Sequence, residues 1–355
     1  MKAKVILATI LILAASCVKN EVREVGMHGD GQILYNPAPL RSMTTKANDQ
    51  MPPFPTTSTF GSCAWYLPGD NKWDDHHAAV ETATVVPTLY IPTSEISYDV
   101  DSKVWRNKDN KYYWPLNGSL TFISWAPFSD SRFSVTREEG FKITGWTMGK
   151  EPGYGIVPTT SEGGVTTDPK NVDILLSYTK DCTRNTANGK VTTMFSHLLC
   201  KVKVEATLAN ADVAVKKIES VTLTNIYTKS DYVAGKWTNQ SECKNYVYTQ
   251  TGGTSMTVTH LAKKVIFPET MFLPQYLSKD AIRADRPKIS IKLQGSKNPI
   301  EGYLWNDKLS TSLSVWDQGK SITYVITIGD EYAFIDFAAG VGGWEDGSSK
   351  GVTVQ

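Results

Sequence analysis

Residues 119–125 read SLTFISW and residues 321–328 read SITYVITI. In both, aromatic and β-branched side chains recur at a period of two, the spacing that sends every second side chain to one face of a strand. The signature returns in residues 201–208 (KVKVEATL), 220–226 (SVTLTNI), 288–293 (KISIKL) and 332–337 (YAFIDF). Gly, Pro, Asn and Asp bound these runs, as turns require. Helical periodicity over ten or more residues is nearly absent, and only residues 74–80 and 279–284 admit a single turn or a short helix. Many short strands between turn signals predict an all-β chain of sandwich type rather than βαβ units.

The chain has 355 residues, a length that suggests two domains. A polar, turn-rich stretch at 179–190 (TKDCTRNTANGK) separates the apolar runs 173–178 and 195–208. The body is therefore expected to divide into units at 33–190 and 191–355. Lysine and arginine together number 37 against 36 acidic residues, a formal charge of +1. That balance lacks the basic footprint of a nucleic-acid binder, and no nucleic-acid partner is expected.

Residues 1–17 (MKAKVILATILILAASC) carry Lys2 and Lys4, an apolar run and then Ala14, Ala15, Ser16 and Cys17. The apolar run is shorter than the roughly 20 residues a spanning helix needs and matches an export signal. A cysteine straight after small residues looks like a bacterial lipobox, with Cys17 as the lipidated residue, although Ala14 stands where Leu is commoner. An ordinary signal peptide is the alternative. Residues 18–32 are polar and mixed in charge, and read as a tether to the folded body.

Catalytic chemistry finds little support. Asp74, Asp75, His76 and His77 form a DDHH run, but neighbours in sequence point apart on an extended chain and no regular metal spacing is present. A solvated loop is the expected reading, with no metal site and no cofactor. His197 and Cys200 lie three apart, so a strand would place them on opposite faces; His197 is expected to be structural. No GxSxG elbow occurs. Gly319-Lys320-Ser321 precedes a strand where phosphate binding needs a helix N-terminus, and residues 340–343 (GVGG) read as a turn. Cys63, Cys182, Cys200 and Cys243 form no CxxC pair, and mostly free, buried thiols are expected. No catalytic residue is assigned.

Aromatic residues crowd the first half: Trp65, Tyr66, Trp73, Trp105, Tyr112, Tyr113, Trp114, Trp125 and Trp146. Most are expected to fill a core, while alternation through residues 112–115 (YYWP) turns at least one ring outward.

Motif order then adds a resemblance. After Cys17 come a short strand at Ile33-Leu34-Tyr35, a loop with Arg41 and Thr45-Lys46-Ala47, and residues 60–66 (FGSCAWY). Residues 112–115, 118–122 (GSLTF), 125–127 (WAP), 173–176 (DILL), 195–202 (FSHLLCKV) and 316–320 (WDQGK) follow in turn. This order resembles the fimbrillin-like lipoproteins of Bacteroides-type bacteria, from about residue 31 to the end.

The resemblance implies two transthyretin-like β-sandwich domains in tandem and a non-enzymatic pilus building block serving cell adhesion. It implies lipidation at Cys17, residence in the outer membrane before processing, and a proteolytic cut after Arg41 or Lys46. The strand centred on Ile33, Leu34 and Tyr35 would then leave, and a strand from another pilus subunit would take its place. The candidate donor is the segment 340–355, with Val352 and Val354 as its apolar residues. Its few apolar residues permit a tip or accessory subunit that accepts a strand without donating one. A vacated strand position exposes unpaired N–H and C=O groups, so strand addition is sensible on physical grounds alone. The alternative is a non-polymerising surface lipoprotein that binds glycans or host proteins through exposed aromatics. A ligand on a host or bacterial surface is compatible with either reading.

Overall fold

The computed structural model describes residues 31–38, 54–80, 82–148, 154–155, 173–249, 255–278, 286–305, 314–329 and 335–343. In chain order the first strands are β1 (Leu34–Ala38), β2 (Phe60–Leu67), β3 (Thr88–Asp99), β4 (Val104–Asn107) and β5 (Ser119–Ala126). One helical turn, α1 (Trp73–His76), interrupts them. Next come β6 (Phe133–Thr136), β7 (Gly140–Thr147), β8 (Tyr154–Gly155), β9 (Leu175–Cys182), β10 (Lys190–Met194) and β11 (Ser196–His197). The second half holds β12 (Cys200–Leu208), β13 (Lys216–Val233), β14 (Lys236–Thr249), β15 (Met256–Val258) and β16 (Lys264–Phe272). It continues with β17 (Gln275–Tyr276), β18 (Lys288–Leu293), β19 (Ile300–Tyr303), β20 (Val315–Trp316), β21 (Lys320–Ile328) and β22 (Ile335–Gly343). The fold is all-β and of sandwich type.

The alternating runs became strands for the expected reason. In β12 every second residue is buried, from Cys200 through Val202, Val204 and Ala206 to Leu208. All eight residues of β5 are buried, because one face meets one apolar cluster and the other face a second. Residues 340–343, read from sequence as a turn, instead continue β22, with Gly340 opposite Thr323 and Gly343 opposite Lys320. Backbone pairing to β21 holds them extended, and that pairing needs no side chain.

The first sheet runs β10-β1-β4-β3-β2-β5-β9-β11. Its two ends come together, since β10 and β11 are separated by Phe195 alone and Thr179 Oγ1 donates to the Thr192 carbonyl at 3.0 Å. Aromatic side chains fill the interior, among them Tyr35, Phe60, Trp105, Trp114 and Phe122. β11 and all of β10 except Lys190 lie beyond residue 190 yet pair within this sheet.

In the second half, the sheet β16-β12-β21-β22 faces the sheet β19-β18-β13-β14-β8. Val202, Val204, Ile322 and Tyr324 from one sheet share a core with Val221, Leu223, Ile289 and Ile291 from the other. The long β13 also reaches the first half: Lys229 pairs with Thr147 and Tyr232 with Ile143 on β7. Around that junction Trp65, Trp125, Phe141 and Trp146 pack in one cluster with Leu198, Tyr232 and Leu273. Among the described residues, no helix is long and apolar enough to cross a membrane.

Candidate functional site

β1 is five residues long and carries Pro37, so it offers few hydrogen bonds of its own. It is seated between two strands that are remote in sequence. On one side it runs parallel to β10, in register from Leu34 opposite Lys190 to Ala38 opposite Met194. On the other side it meets β4 at a single pair, Tyr35 opposite Trp105. Just ahead of it, Ile33 N–H donates to the Tyr112 carbonyl at 2.8 Å and Trp114 N–H donates to the Gly31 carbonyl at 3.0 Å.

The side chains alternate as a half-buried strand should. Ile33, Tyr35 and Pro37 are buried, while Asn36 faces solvent. Ile33 stands one residue ahead of β1 rather than within it, but belongs to the same apolar cluster. The Tyr35 ring meets Phe60 and Phe122 edge-on, with centroids 5.8 and 6.0 Å away. Burial pushes the Tyr35 phenol pKa up, with the Ser62 hydroxyl pulling the other way. Beside this strand sits Phe54, stacked on Phe195 at 5.3 Å and edge-on to Trp105 at 5.4 Å. The roles of Phe54 and Phe195 escaped the sequence reading, and an aromatic residue set among Pro52, Pro53 and Pro55 was the only hint.

β1 is the sole sheet neighbour of β10 among the described residues. Taking it away would leave the backbone groups of β10 and of β4 that pair with β1 without partners, beside a trough walled by Phe60, Trp105, Phe122 and Val191. Cys17, Arg41, Lys46, Val352 and Val354 lie outside the described residues.

A cleft of about 950 Å³ opens beside the lead into β1. Gly31, Tyr112, Tyr113 and Trp114 form one wall, and Tyr90, Asn71, Asn117, Asp181 and Arg184 contribute others. Tyr90 Oη donates to the Tyr113 carbonyl at 2.7 Å and Tyr66 Oη donates to Asn117 Oδ1 at 3.0 Å. Asn71 Nδ2 donates to the Pro68 carbonyl at 2.7 Å.

The remaining sequence candidates find structural partners. Asp74 pairs with Lys180 at 2.6 Å and His77 Nδ1 lies 3.2 Å from the Trp73 carbonyl, so the DDHH run is a helical turn tied to its own surroundings. No group of three or more potential metal ligands occurs among the described residues. His197 Nδ1 lies 2.6 Å from Asp173 Oδ2, while Cys200 Sγ reaches the Phe272 carbonyl at 3.4 Å on another strand. Cys63, Cys182, Cys200 and Cys243 form no disulfide, the first three being buried and the last exposed. The six tryptophans of the first-half set are all buried, and Tyr66, Tyr112 and Tyr113 are half-buried.

Comparison with known proteins adds three findings. The sequence model of a family described as fimbrillin-like matches residues 70–344. A crystal structure of a fimbrial protein from Bacteroides vulgatus is similar at TM-score 0.52 and 18% identity, covering 80% of this chain and 92% of that one. A cell adhesion protein from Bacteroides uniformis is similar at TM-score 0.43 and 14% identity, covering 88% of this chain and 97% of that one. No curated protein matches the chain.

Proposed function

This chain belongs to the fimbrillin-like family, and from that premise we propose that it is a structural subunit of a surface pilus, assembled by protease-triggered strand exchange and serving cell adhesion. The observation that carries the proposal is the seat of β1, a short strand held between β10 and β4 and followed by residues 39–53, which contain Arg41 and Lys46. The precursor would be anchored in the outer membrane through a lipid on Cys17. A cut after Arg41 or Lys46 would disconnect β1 from the body while leaving Phe54 in place.

The energetics favour exchange over a standing gap. Seating Ile33, Tyr35 and Pro37 buries three apolar side chains, worth on the order of 1.5–3 kcal/mol each before ordering costs. A neighbouring subunit's strand that fills the same trough recovers that burial and re-pairs β10 and β4. The donor in this chain would come from residues 340–355, with Val352 and Val354 as inserting side chains. Residues 340–343 already serve β22, which shortens the available donor and favours a position in the pilus that accepts a strand. On this reading the two halves are tandem transthyretin-like sandwich domains, the first accepting the strand.

The test is the N-terminus of the protein on its native cells. A start at Ser42 or Ala47 within high-mass assemblies is the expected result. A start at lipidated Cys17 in monomers overturns the polymerising role and leaves a tethered adhesion lipoprotein.

A further inference from the structure

We propose that the cleft beside β1 binds a short oligosaccharide, and that the site is complete only while the residues leading into β1 are seated. Its volume of about 950 Å³ lies within the range of small-molecule sites. The composition of its walls selects the ligand class. Leu116 and Pro115 are the only aliphatic side chains among the lining residues, so a greasy ligand finds few partners. Tyrosine rings and planar amides dominate instead. A sugar presents C–H faces that pack on aromatic rings and hydroxyls that need both donors and acceptors. Three basic side chains, Lys72, Lys111 and Arg184, stand against two acidic ones, Asp70 and Asp181, so the cleft does not favour a polyanion.

The polar groups are held ready. The bond from Tyr66 uses the amide oxygen of Asn117 and leaves its NH₂ as a donor. The bond to the Pro68 carbonyl uses the NH₂ of Asn71 and leaves its oxygen as an acceptor. A fixed donor and a fixed acceptor in one cleft cut the ordering cost of binding.

The link to β1 is covalent and direct. Gly31 lines the cleft, and its carbonyl accepts from Trp114 N–H while Ile33 N–H bonds the Tyr112 carbonyl. Unseating β1 therefore takes Gly31 out of this wall and releases the backbone of Tyr112 and Trp114. A ligand that needs this wall must stabilise the seated strand by linkage. The site belongs to the intact chain and does not depend on the strand ever leaving.

The experiment applies the full chain to an array of short neutral and acidic oligosaccharides and then titrates the best binder. Binding among the neutral set is expected. Tyr113→Ala should weaken it roughly tenfold, while Tyr113→Phe keeps the ring and most of the affinity. Asn117→Ala, at an exposed position, serves as a second variant should Tyr113→Ala fail to fold. Hydrogen exchange at the Ile33 and Trp114 amides should slow at saturation. No binding to any saccharide, binding only to polyanions, or binding indifferent to both substitutions overturns the site. Binding without added protection at Ile33 and Trp114 overturns its link to the strand. Neither result bears on where the N-terminus lies on cells, which tests strand exchange by itself.

Discussion

Tyr35 stands edge-on to Phe60, with ring centroids 5.8 Å apart and planes at 80°. Phe60 belongs to a central strand of the body, and Tyr35 to the strand proposed to leave. The pair is therefore a measure of how firmly β1 is held. Replacing Tyr35 with Ala removes a fully buried aromatic ring, a change that costs about 3–5 kcal/mol in typical cores. The expected outcome for the full chain is a lower urea midpoint, together with earlier hydrogen exchange in β1 and β10 than in β12. Uniform loosening of all three strands would show that β1 is simply part of one cooperative core.

A second expectation concerns residues 39–53. If the cut that frees β1 falls there, Arg41→Ala combined with Lys46→Ala should leave the N-terminal segment attached on native cells. Mass spectrometry of surface protein would find the full precursor and electron microscopy would find no subunit in polymers. A shortened N-terminus that persists in the double variant would place the processing site elsewhere.

Thiol chemistry gives a third. Cys63 and Cys200 are buried, and burial pushes their thiol pKa values up; Cys182 is raised to about 11 by burial first and by nearby Asp181 second. Only the thiolate reacts, so these three should be silent to a thiol reagent at neutral pH while exposed Cys243 reacts at once. Titration of the body without Cys17 should count one thiol when folded and four in urea. Rapid reaction of Cys182 would show that the β9–β10 connection opens often.

The β3–β4 turn supplies a pH prediction with a defined sign. The Asp99 carboxylate accepts from Ser102 N–H at 3.1 Å, Asp101 N–H at 3.0 Å and Arg106 Nε at 2.7 Å. Those bonds, the Ser102 amide first, hold its pKa down at about 2. A depressed carboxylate pKa stabilises the folded turn above the ordinary value near 3.9, and that contribution fades as the pH falls through the folded value. The amide signals of Asp101 and Ser102 should therefore hold at pH 4 and shift toward pH 2. Asp99→Asn should shift them at neutral pH instead. Movement already between pH 6 and 4 would contradict the assignment.

Much of this was legible in the chain, and the reason differs by element. β18 occupies Lys288–Leu293 and β5 begins at Ser119, as the alternation of their residues suggests, because Ile289, Ile291 and Leu293 turn into one core while β5 sends its two faces into two apolar clusters. Residues 340–343 were misread because glycine signals a turn by its own preference, whereas pairing with β21 decided the outcome. The parallel register of Leu34 with Lys190 and the crossing of Tyr232 to Ile143 join residues far apart in sequence, and no local pattern encodes such pairs. The seat of β1 was readable only through motif order. The cleft was half-readable: the outward turn of the Tyr112–Tyr113 segment was expected, but the arrival of Asn71 and Arg184 beside it depends on the whole sheet closing.

Gly61 is the second residue of the 60–66 stretch that forms most of β2. A Cβ built on it falls inside van der Waals contact with the indole of Trp125, which lies across the backbone of β2 at its Gly61–Trp125 pair. The backbone there has no left-handed requirement, so glycine is needed for room and not for conformation. Trp125 is 2% exposed and packs on Phe141 at 5.8 Å, next to the junction with β13. Gly61→Ala must therefore push the indole into the junction cluster, an overpacking that typically costs about 1–3 kcal/mol. The expected signature is a fall in melting temperature accompanied by a changed tryptophan emission, and Trp125→Leu in the same chain should recover part of the loss by making room. If Gly61→Ala alone leaves stability and emission unchanged, the close approach of Trp125 to β2 is not the feature that requires glycine at this position.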